Sequence, residues 1–293
     1  MAESAVTFGA CHRAMRRAFR EAGLETADFD ARLLSEAIAG CEPGKLLLVE
    51  ARPAGPDAAA TFAEWTKRRL AGEPVARLTR SREFWSLDFN LDAEMLVPRP
   101  ETEHLVAEIL RRLPAPGGAP PRIADLGTGS GAILIALLIE RPDAFGVGTD
   151  ISLAALVGAR HNAARLGVGD RAGFVKGNFA APLSGFDVLV SNPPYIPTAT
   201  IPALEREVRE HDPRAALDGG ADGLDCYRKI VAQALTALVP GGLLGLEIGF
   251  GQAREVTELL APDAYANIEV TDDLAGIPRV VTARLTDNPL HVK

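Results

Sequence analysis

Cysteine is scarce in this sequence, and none of its apolar runs is long. Its three cysteines, Cys11, Cys41 and Cys226, are widely spaced and lie outside any CxxC pattern. No disulfide framework or structural zinc site can be read from that spacing. The five histidines also lack metal-ligand spacing, so we expect no metal. The longest apolar run, Ala132–Ile139, is far shorter than the roughly 20 residues that cross a bilayer, and no membrane span is expected.

Basic charge is in deficit. The chain holds 31 Lys and Arg against 39 Asp and Glu, a net charge of −8. Residues 1–80 hold 12 basic and 11 acidic side chains, so the remaining residues carry 19 against 28, or −9. A protein whose main task is to bind nucleic acid usually shows a basic face or tail. We therefore expect no direct nucleic-acid binding, and the uneven charge is a first indication of two domains.

The composition is that of a globular protein, with 293 residues of which 47% are apolar and 24% are charged. Four arginines between residues 13 and 20 faintly resemble a transit peptide. Glu3 and Glu21 argue against targeting, and an amphipathic helix accounts for the same residues. We expect a cytoplasmic protein, and nothing in the sequence requires more than a monomer.

Residues 1–82 are predicted to form a small, purely helical domain. Apolar side chains such as Phe29, Leu33 and Leu34 recur there at helical spacing, and glycine and proline separate the helices. Since these residues include no catalytic group, partner binding is the natural role. A bundle that only caps the next domain is the alternative.

In residues 83–98, apolar and polar side chains partly alternate, and the segment ends at a Pro-Arg-Pro stretch. This pattern predicts a short extended linker.

Residues 99–293 alternate between strand and helix patterns. Strands are predicted over Arg122–Leu126, Ala144–Thr149, Phe174–Gly177, Phe186–Val190 and Leu243–Ile248. Helices are predicted over Thr102–Leu113, Gly131–Glu140, Ser152–Leu166 and Tyr227–Leu238. This alternation is typical of an α/β fold, a parallel sheet with helices on both faces. Near the end, Asn267–Thr271 and Arg279–Leu285 predict an antiparallel pair at the sheet edge.

A glycine loop follows the first predicted strand of this domain. The segment Ile123–Gly131 (IADLGTGSG) runs from a buried strand through a tight turn into a helix. Asp150 ends the next strand, where a carboxylate can accept hydrogen bonds from two ribose hydroxyls. Together these features predict a pocket for an adenosine nucleoside. Its predicted residues are Asp125, Gly127, Thr128, Gly129, Ser130, Gly131 and Asp150.

The glycine pattern alone does not choose the ligand, because residues 127–132 also fit the dinucleotide fingerprint GxGxxG/A. Asp125 favours S-adenosylmethionine over NAD, since a carboxylate there can accept hydrogen bonds from an amino-acid ammonium group but would repel a pyrophosphate. After the following strand, Asn178 can accept from the adenine amino group, and Phe179 can cover the ring. Ordinary core packing of Phe179 is the alternative.

The tetrapeptide Asn192-Pro193-Pro194-Tyr195 comes directly after a buried strand. Its prolines remove two N–H donors and fix two φ angles, and a residue before proline is held extended. The side-chain oxygen of Asn192 and the carbonyl of Pro193 can thus each accept one N–H of a planar NH₂ group. Because the lone pair of such a nitrogen is delocalised, holding both N–H bonds orients it towards a methyl donor. Tyr195 can pack on the flat group. The alternative interpretation is an ordinary Pro-Pro turn with no function, since such turns are common after strands.

Several motifs match one enzyme family. They are PRPETE at 98–103, DLGTGSGA at 125–132, SNPPYIP at 191–197 and ALDGGADGL at 216–224. On these motifs the chain resembles the HemK/PrmC family of protein-(glutamine-N5) methyltransferases over nearly its whole length. The sequence NPPY alone is shared with DNA and RNA amino-methyltransferases, whereas its combination with the flanking motifs is highly specific.

The resemblance implies methylation, from S-adenosylmethionine, of the glutamine in the Gly-Gly-Gln loop of class 1 peptide release factors. It implies a seven-strand, Rossmann-like class I methyltransferase domain, preceded by a helical domain that helps hold the release factor. By the same resemblance, the segment Asn192–Tyr195 contacts the glutamine amide, Asn192 also borders the cofactor, and Phe89 lines the glutamine pocket. Asn178 stands where the family often has Asp. An Asn at this position keeps an acceptor oxygen but lacks the negative charge of Asp.

Three other functions remain open. The first is an amino-methyltransferase acting on adenine or cytosine in nucleic acid, against which the −9 charge counts. The second is a module that senses S-adenosylmethionine without catalysis, against which the retention of Asn192 with both prolines counts. The third is a glutamine methyltransferase acting on a ribosomal protein, and the N-terminal domain would decide between that substrate and a release factor.

Overall fold

The computed structural model describes residues 6–260 and 263–287. It divides into two compact units. The first consists of the described residues up to Ser81 together with Arg206–His211, and the second of Arg82–Glu205 together with the described residues from Asp212 onwards. No helix within these described ranges is long and apolar enough to cross a membrane.

Helices and strands follow one another in a regular order. The helices are α1 (Phe8–Glu21), α2 (Ala27–Ala39), α3 (Pro56–Leu70), α4 (Val75–Thr79), α5 (Glu103–Arg112), α6 (Ala132–Glu140), α7 (Leu153–Arg165), α8 (Arg206–His211), α9 (Asp225–Ala237) and α10 (Ala253–Leu259). The strands are β1 (Ser81–Phe84), β2 (Leu87–Asn90), β3 (Arg122–Leu126), β4 (Phe145–Asp150), β5 (Ala172–Lys176), β6 (Phe186–Ser191), β7 (Leu238–Glu247), β8 (Tyr265–Asp272) and β9 (Pro278–Leu285).

The first unit is helical, as the sequence predicted. The side chain of Thr7 caps α1 by accepting a hydrogen bond from the N–H of Ala10, and Gly40 ends α2 in the left-handed conformation. Its core is formed by apolar side chains of α1, α2 and α3, among them Met15, Phe19 and Leu34. Burial of these side chains stabilises helices that would be marginal alone.

A buried arginine joins α8 to the rest of the first unit. Arg69 on α3 is 7% exposed, and its guanidinium pairs with Asp30 of α2 over 2.8 Å and with Glu207 of α8 over 2.6 Å. A buried charge is tolerated when it is paired and hydrogen-bonded. Arg69 therefore needs both carboxylates, one of which comes from a distant part of the chain.

The segment predicted as an extended linker, residues 83–98, instead contains part of a β-hairpin. Strands β1 and β2 form a two-stranded sheet, and the two residues between them, Trp85 and Ser86, have φ angles of +55° and +56°. Two positive φ angles define the type I′ turn of a tight hairpin, which usually contains Asn and Gly. Because Trp85 and Ser86 are neither, their residue types do not predict a hairpin turn, and the sequence indicated only an extended segment here.

The second unit is built on a seven-stranded sheet of order β5-β4-β3-β6-β7-β9-β8. Strands β3 to β7 pair in parallel, and β9 pairs antiparallel with both β7 and β8. The predicted α/β class, a Rossmann-like sheet with an antiparallel edge, is confirmed. From β3 the chain winds first towards β5 and then returns on the other side with β6. The strand order therefore reverses between β3 and β6, where open α/β sheets bind their ligands.

Helices cover both faces of the sheet and bury the core. On one face α6 and α7 pack over β4 and β5, and α5 packs over β7 and β9. On the other face α9 packs over β7 and α10 packs over β9. Helix α6 is buried along its length from Ala132 to Leu138, which explains why its sequence is apolar on every side.

The predicted elements of the second unit are present with shifted bounds. The main differences are that β7 begins at Leu238 rather than Leu243, and that α10 follows it where no helix was predicted. The extension of β7 contains Pro240, Gly241 and Gly242, which usually mark turns, so propensity argued against a strand there.

Candidate active site

The glycine loop and the Asn-Pro-Pro-Tyr segment emerge side by side. Strands β3 and β6 are parallel neighbours, with Asp125 in register with Val190. The hydroxyl of Ser191 donates a hydrogen bond to the carbonyl of Leu126 over 2.6 Å, which ties the ends of the two strands together. The two motifs that the sequence singled out therefore meet at the carboxyl edge of the sheet, at the reversal of strand order.

The glycine loop needs its glycines. Gly127, Gly129 and Gly131 have φ angles of +75°, +53° and +82°, in the left-handed region that other residues rarely adopt. A Cβ on Gly131 would also lie 3.0 Å from the side chain of Ile135 and 3.2 Å from that of Ala159. The loop thus presents a bare backbone that starts α6, a surface suited to close approach by a ligand.

Asp150 lies at the end of β4, next to this loop. Its carboxylate accepts the N–H of Gly129 over 3.0 Å and the N–H of Ser152 over 2.8 Å. A carboxylate has about four acceptor positions, so two remain for other donors. This arrangement fixes the carboxylate and leaves it able to accept two hydroxyls, which is what ribose recognition requires.

Asp125 is completely enclosed by protein. Its Oδ2 accepts the hydroxyl of Thr128 over 2.6 Å, whereas Oδ1 has no hydrogen-bond partner among the described residues. Burial raises the pKa of this carboxyl to about 7. The predicted contact with an ammonium group stays a prediction, and it would give the orphaned oxygen a partner.

Asn178 and Phe179 follow β5. Asn178 is exposed, and Phe179 is half-buried with a φ angle of +55°. The ring of Phe179 lies 3.8 Å from the position that a Cβ on Gly127 would occupy. Phe179 also packs against the core cluster on the α9 face. Its ring thus borders the glycine loop, and the placement agrees both with adenine stacking and with core packing.

In the Asn-Pro-Pro-Tyr segment, the side chain of Asn192 has one polar partner that the sequence did not suggest. Its Nδ2 donates a hydrogen bond to the hydroxyl oxygen of Thr102 over 3.0 Å. Pro193 is buried, and Pro194 is half-buried. Tyr195 is half-buried too, and burial raises the pKa of its phenol to about 12, so the phenol is neutral at physiological pH. The predicted packing of Tyr195 on a flat substrate group stays a prediction.

Phe89, predicted to line the glutamine pocket, is fully buried. It packs edge-on against Phe84, with ring centroids 6.2 Å apart. This packing does not test the predicted contact of Phe89 with a substrate, which stays a prediction. The neighbouring residue Asn90 exchanges two backbone hydrogen bonds with the side chain of Asn162, which also donates to the carbonyl of Ser130 over 3.0 Å. Asn162 thereby ties the hairpin to the glycine loop, a link with no motif in the sequence.

Gln252 is a second residue that the sequence analysis missed. Its Nε2 donates to the carbonyl of Tyr195 over 3.1 Å, and its Oε1 accepts the N–H of Gly249 over 3.0 Å. The hydroxyl of Tyr227 lies 3.4 Å from the same Oε1. Because Tyr195 and Tyr227 are distant from Gln252 in sequence, only the fold brings these three residues together. Gln252 fixes the last residue of the Asn-Pro-Pro-Tyr segment against the end of β7.

These residues fit an adenosine-type cofactor with an amino-acid group. The bare backbone of the glycine loop, the free acceptor positions of Asp150 and the orphaned oxygen of Asp125 are the three observations that support the fit. Within the described part of the chain, no group of three or more His, Cys, Asp and Glu side chains is placed to hold a metal ion.

Comparison with known families and proteins assigns the chain to one family. The family model described as the PrmC N-terminal domain matches residues 11–79, and that of the methyltransferase small domain matches residues 105–208. A release factor glutamine methyltransferase of Bradyrhizobium diazoefficiens is 51% identical over 277 residues, which cover 93% of each chain. One from Rhodospirillum rubrum is 48% identical over 264 residues, covering 90% of this chain and 80% of the relative.

Solved structures agree on the fold. A methyltransferase from Pyrococcus furiosus superposes with a TM-score of 0.53 at 18% identity, covering 77% of this chain and all of that one. The hMettl16 catalytic domain, solved in complex with the MAT2A 3'UTR hairpin 6, gives a TM-score of 0.54 at 15% identity, covering 80% of this chain and 83% of that one. At such identities the likeness concerns the fold alone.

The fold and the site therefore define a methyltransferase of the Rossmann-like class, for which S-adenosylmethionine is the implied methyl donor. More particularly, the chain belongs to the family of release factor glutamine methyltransferases. The resemblance found in the sequence motifs is thereby confirmed.

Proposed function

We propose that this protein transfers a methyl group from S-adenosylmethionine to the side-chain amide nitrogen (N5) of the glutamine in the Gly-Gly-Gln motif of class 1 peptide release factors. The observation that carries this proposal is the position of Asn192, at the end of β6 beside the glycine loop that follows β3. The similarity to a release factor glutamine methyltransferase over 93% of the chain supports the choice of substrate.

We assign cofactor binding to the glycine loop, Asp125, Asp150, Asn178 and Phe179. S-Adenosylmethionine, when bound, supplies an electrophilic methyl group. The backbone of Gly127–Gly131 would approach the cofactor closely, Asp150 would accept from its ribose hydroxyls, and Asp125 from its ammonium group. The exposed Asn178 and the ring of Phe179 would border the adenine.

The protein's task at the substrate is to orient a poor nucleophile. The amide nitrogen of glutamine is planar because its lone pair is shared with the carbonyl. Asn192 Oδ1 and the carbonyl oxygen of Pro193 would each accept one of its N–H bonds, which fixes the nitrogen in place and supports its change towards a tetrahedral geometry. Tyr195 would pack on the amide plane. The methylated nitrogen is cationic and loses a proton readily to water, so no strong base is needed.

The first unit is proposed to hold the release factor, with the protein acting as a monomer in the cytoplasm. Its match to the PrmC N-terminal domain supports this role. Its described surface exposes two adjacent leucines, Leu47 and Leu48, at 77% and 79%. Large exposed apolar side chains of this kind are typical of sites that contact other proteins.

The test is a labelled methyl-transfer assay. The purified protein is incubated with methyl-labelled S-adenosylmethionine and an unmodified class 1 release factor, beside the same factor with its Gly-Gly-Gln glutamine changed to alanine. Label is expected only on the intact factor. Label on both would place the modification elsewhere in the factor. Absence of label on both would contradict the proposal and direct the same assay to ribosomal proteins and then to DNA and RNA.

A further inference from the structure

An open cleft of about 540 Å³ in the second unit has no part in the function proposed above. Its walls are formed by residues 195–197 after β6, by residues 222 and 224 before α9, and by residues 249–252 and 255 after β7. A volume of this size is typical of ligand sites. Tyr195 belongs both to the cleft and to the Asn-Pro-Pro-Tyr segment, so the cleft is continuous with the proposed site for the glutamine amide.

Phe250 holds its ring in water on the wall of this cleft. The residue is 81% exposed and stands between two glycines on the loop after β7. A single exposed apolar residue is ordinary on a protein surface. The position of this one is not ordinary, because it adjoins the amide site. Burial of the ring against a bound chain would be favourable there.

The loop that carries Phe250 is a defined turn. The N–H of Gly249 donates to Oε1 of Gln252 over 3.0 Å, and the N–H of Gln252 donates to the carbonyl of Gly249 over 3.1 Å. Gly251 has a φ angle of +81°, in the region that favours glycine. The backbone that presents the ring is therefore set by its own hydrogen bonds before any partner arrives.

The same loop offers main-chain hydrogen bonds. Within residues 6–260 and 263–287, the N–H groups of Phe250 and Gly251 have no hydrogen-bond partner. Glycine on either side of Phe250 leaves room for another backbone to approach closely. Unpaired main-chain groups of this kind can bond to an extended peptide, as sheet edges do when they bind a peptide as an added strand.

The charges at the rim of the cleft are balanced. The carboxylate of Asp222 pairs with Arg228, and that of Glu255 pairs with Arg254 over 3.3 Å. A basic segment would gain little from carboxylates that are already paired at the surface. Since much of the remaining wall is apolar, as at Leu224, a neutral segment fits the cleft better than a charged one.

We propose that this cleft binds the neutral, extended segment of the release factor that adjoins the target glutamine, with the ring of Phe250 packed against it. The inference rests on the proposed function, because a glutamine held at Asn192 brings the adjoining residues of its chain next to Tyr195. Phe250 then contributes to binding of the factor and to the choice of flanking sequence, and it takes no part in methyl transfer itself.

The first test locates the bound segment directly. The photoreactive residue p-benzoylphenylalanine is placed at position 250 of the full chain, which is irradiated with an unmodified class 1 release factor. Mass spectrometry then identifies the crosslinked residues of the factor. We expect them within about four residues of the Gly-Gly-Gln glutamine, since an extended chain advances about 3.3 Å per residue. Crosslinks confined to other parts of the factor would overturn the inference.

Phe145 provides the matched control. It is also an exposed phenylalanine, at 54%, but it begins β4 and so lies at the edge of the sheet opposite to the cleft. The same photoreactive residue at position 145 should give no crosslink to the peptide that contains the Gly-Gly-Gln glutamine. Equal crosslinking of that peptide from positions 145 and 250 would also overturn the inference.

The second test is steady-state methylation of the release factor. We expect Phe250→Ala to raise KM for the factor about tenfold and to leave kcat within about twofold of wild type, because the lost contact acts on binding. Phe250→Leu should lie between the two, and Phe145→Ala should match wild type. Because both side chains are exposed, these variants are expected to fold.

The outcomes separate this inference from the function on which it rests. A wild-type KM in Phe250→Ala, with the factor still methylated, would overturn the inference and leave the proposed function intact. A wild-type protein that labels no release factor would overturn the proposed function, and the inference with it.

Discussion

The side-chain amide of Gln252 hydrogen-bonds to the carbonyl of Tyr195 over 3.1 Å and thereby joins the loop after β7 to the segment after β6. The same side chain accepts the N–H of Gly249, so it holds both loops at once. Gly249 and Gly223 leave room for it, because a Cβ on either would lie within 3.0 Å of the Gln252 side chain. The last residue of the Asn-Pro-Pro-Tyr segment is thus fixed from outside the segment.

Gln252→Ala is expected to lower kcat about tenfold, because Tyr195 loses the bond that fixes its backbone. Affinity for S-adenosylmethionine, measured by calorimetry, should change little. Gln252→Glu serves as the comparison, since it keeps the acceptor for Gly249 and removes the donor to Tyr195. Full activity in Gln252→Glu would show that the bond to Tyr195 does not matter.

Asn192→Ala is expected to reduce turnover about 100-fold or more while leaving cofactor affinity nearly unchanged. The substitution removes an acceptor that engages the reacting amide, and preorganised contacts of this kind contribute about that much to rates. Single-turnover methylation and calorimetry with the cofactor measure the two quantities. A rate close to wild type would refute the role of Asn192 in holding the glutamine amide.

Asp150→Ala should lower the affinity for the cofactor instead. The loss of two charge-assisted hydrogen bonds to ribose hydroxyls is expected to weaken S-adenosylmethionine binding by about tenfold to 100-fold per bond. Asp150 also accepts the N–H of Gly129 at Oδ2 and the N–H of Ser152 at Oδ1. The unfolding midpoint of cofactor-free Asp150→Ala, compared with that of the wild type, is therefore the control for loop structure. An unaltered dissociation constant in Asp150→Ala would exclude the ribose contact.

The buried carboxyls predict how stability depends on pH. The pKa values of Asp125 and Glu247 are raised to about 7 by burial, so the folded protein binds their protons more tightly than the unfolded chain does. Their contribution to stability is complete below about pH 4 and is lost as the pH rises through about 7. The free energy of unfolding of the cofactor-free protein should therefore fall between pH 5 and pH 8.

Asp125→Asn should reduce that fall, because its side chain cannot ionise. Urea unfolding at the two pH values measures the effect. Glu108 and Asp222 have pKa values lowered to about 2, and their contributions change below about pH 5, outside this interval. Wild type and Asp125→Asn with the same dependence would mean that Asp125 does not titrate in this range.

The exposed leucines of the first unit allow a test of its proposed role. Changing Leu47 and Leu48 to Ala is expected to raise KM for the release factor several-fold, since apolar side chains at an interface contribute through burial. KM for S-adenosylmethionine should stay unchanged. An equal effect on both constants would indicate a structural contribution of these leucines instead.

The sequence predicted those parts of the structure that are determined by residues close to one another in the chain. Buried strands alternating with helices predicted the sheet, and the glycine loop and Asn192–Tyr195 were placed correctly after β3 and β6. The hairpin was missed because Trp85 and Ser86 adopt positive φ without the usual turn residues. Asn162 was missed because its partners lie on other elements, and the topology alone brings them together.

The first unit also has an evolutionary consequence. Its helix α8, six residues long, is encoded within the stretch that carries the methyltransferase motifs, and Glu207 of that helix supplies a carboxylate to Arg69. Arg206 lies so near Gly72 that a Cβ there would approach its Cδ within 3.0 Å. A recombination event that exchanged only the first 81 codons between relatives would separate these partners. Chimeras that also transfer codons 206–211 should retain them, and changes in these two stretches of the gene should be inherited together.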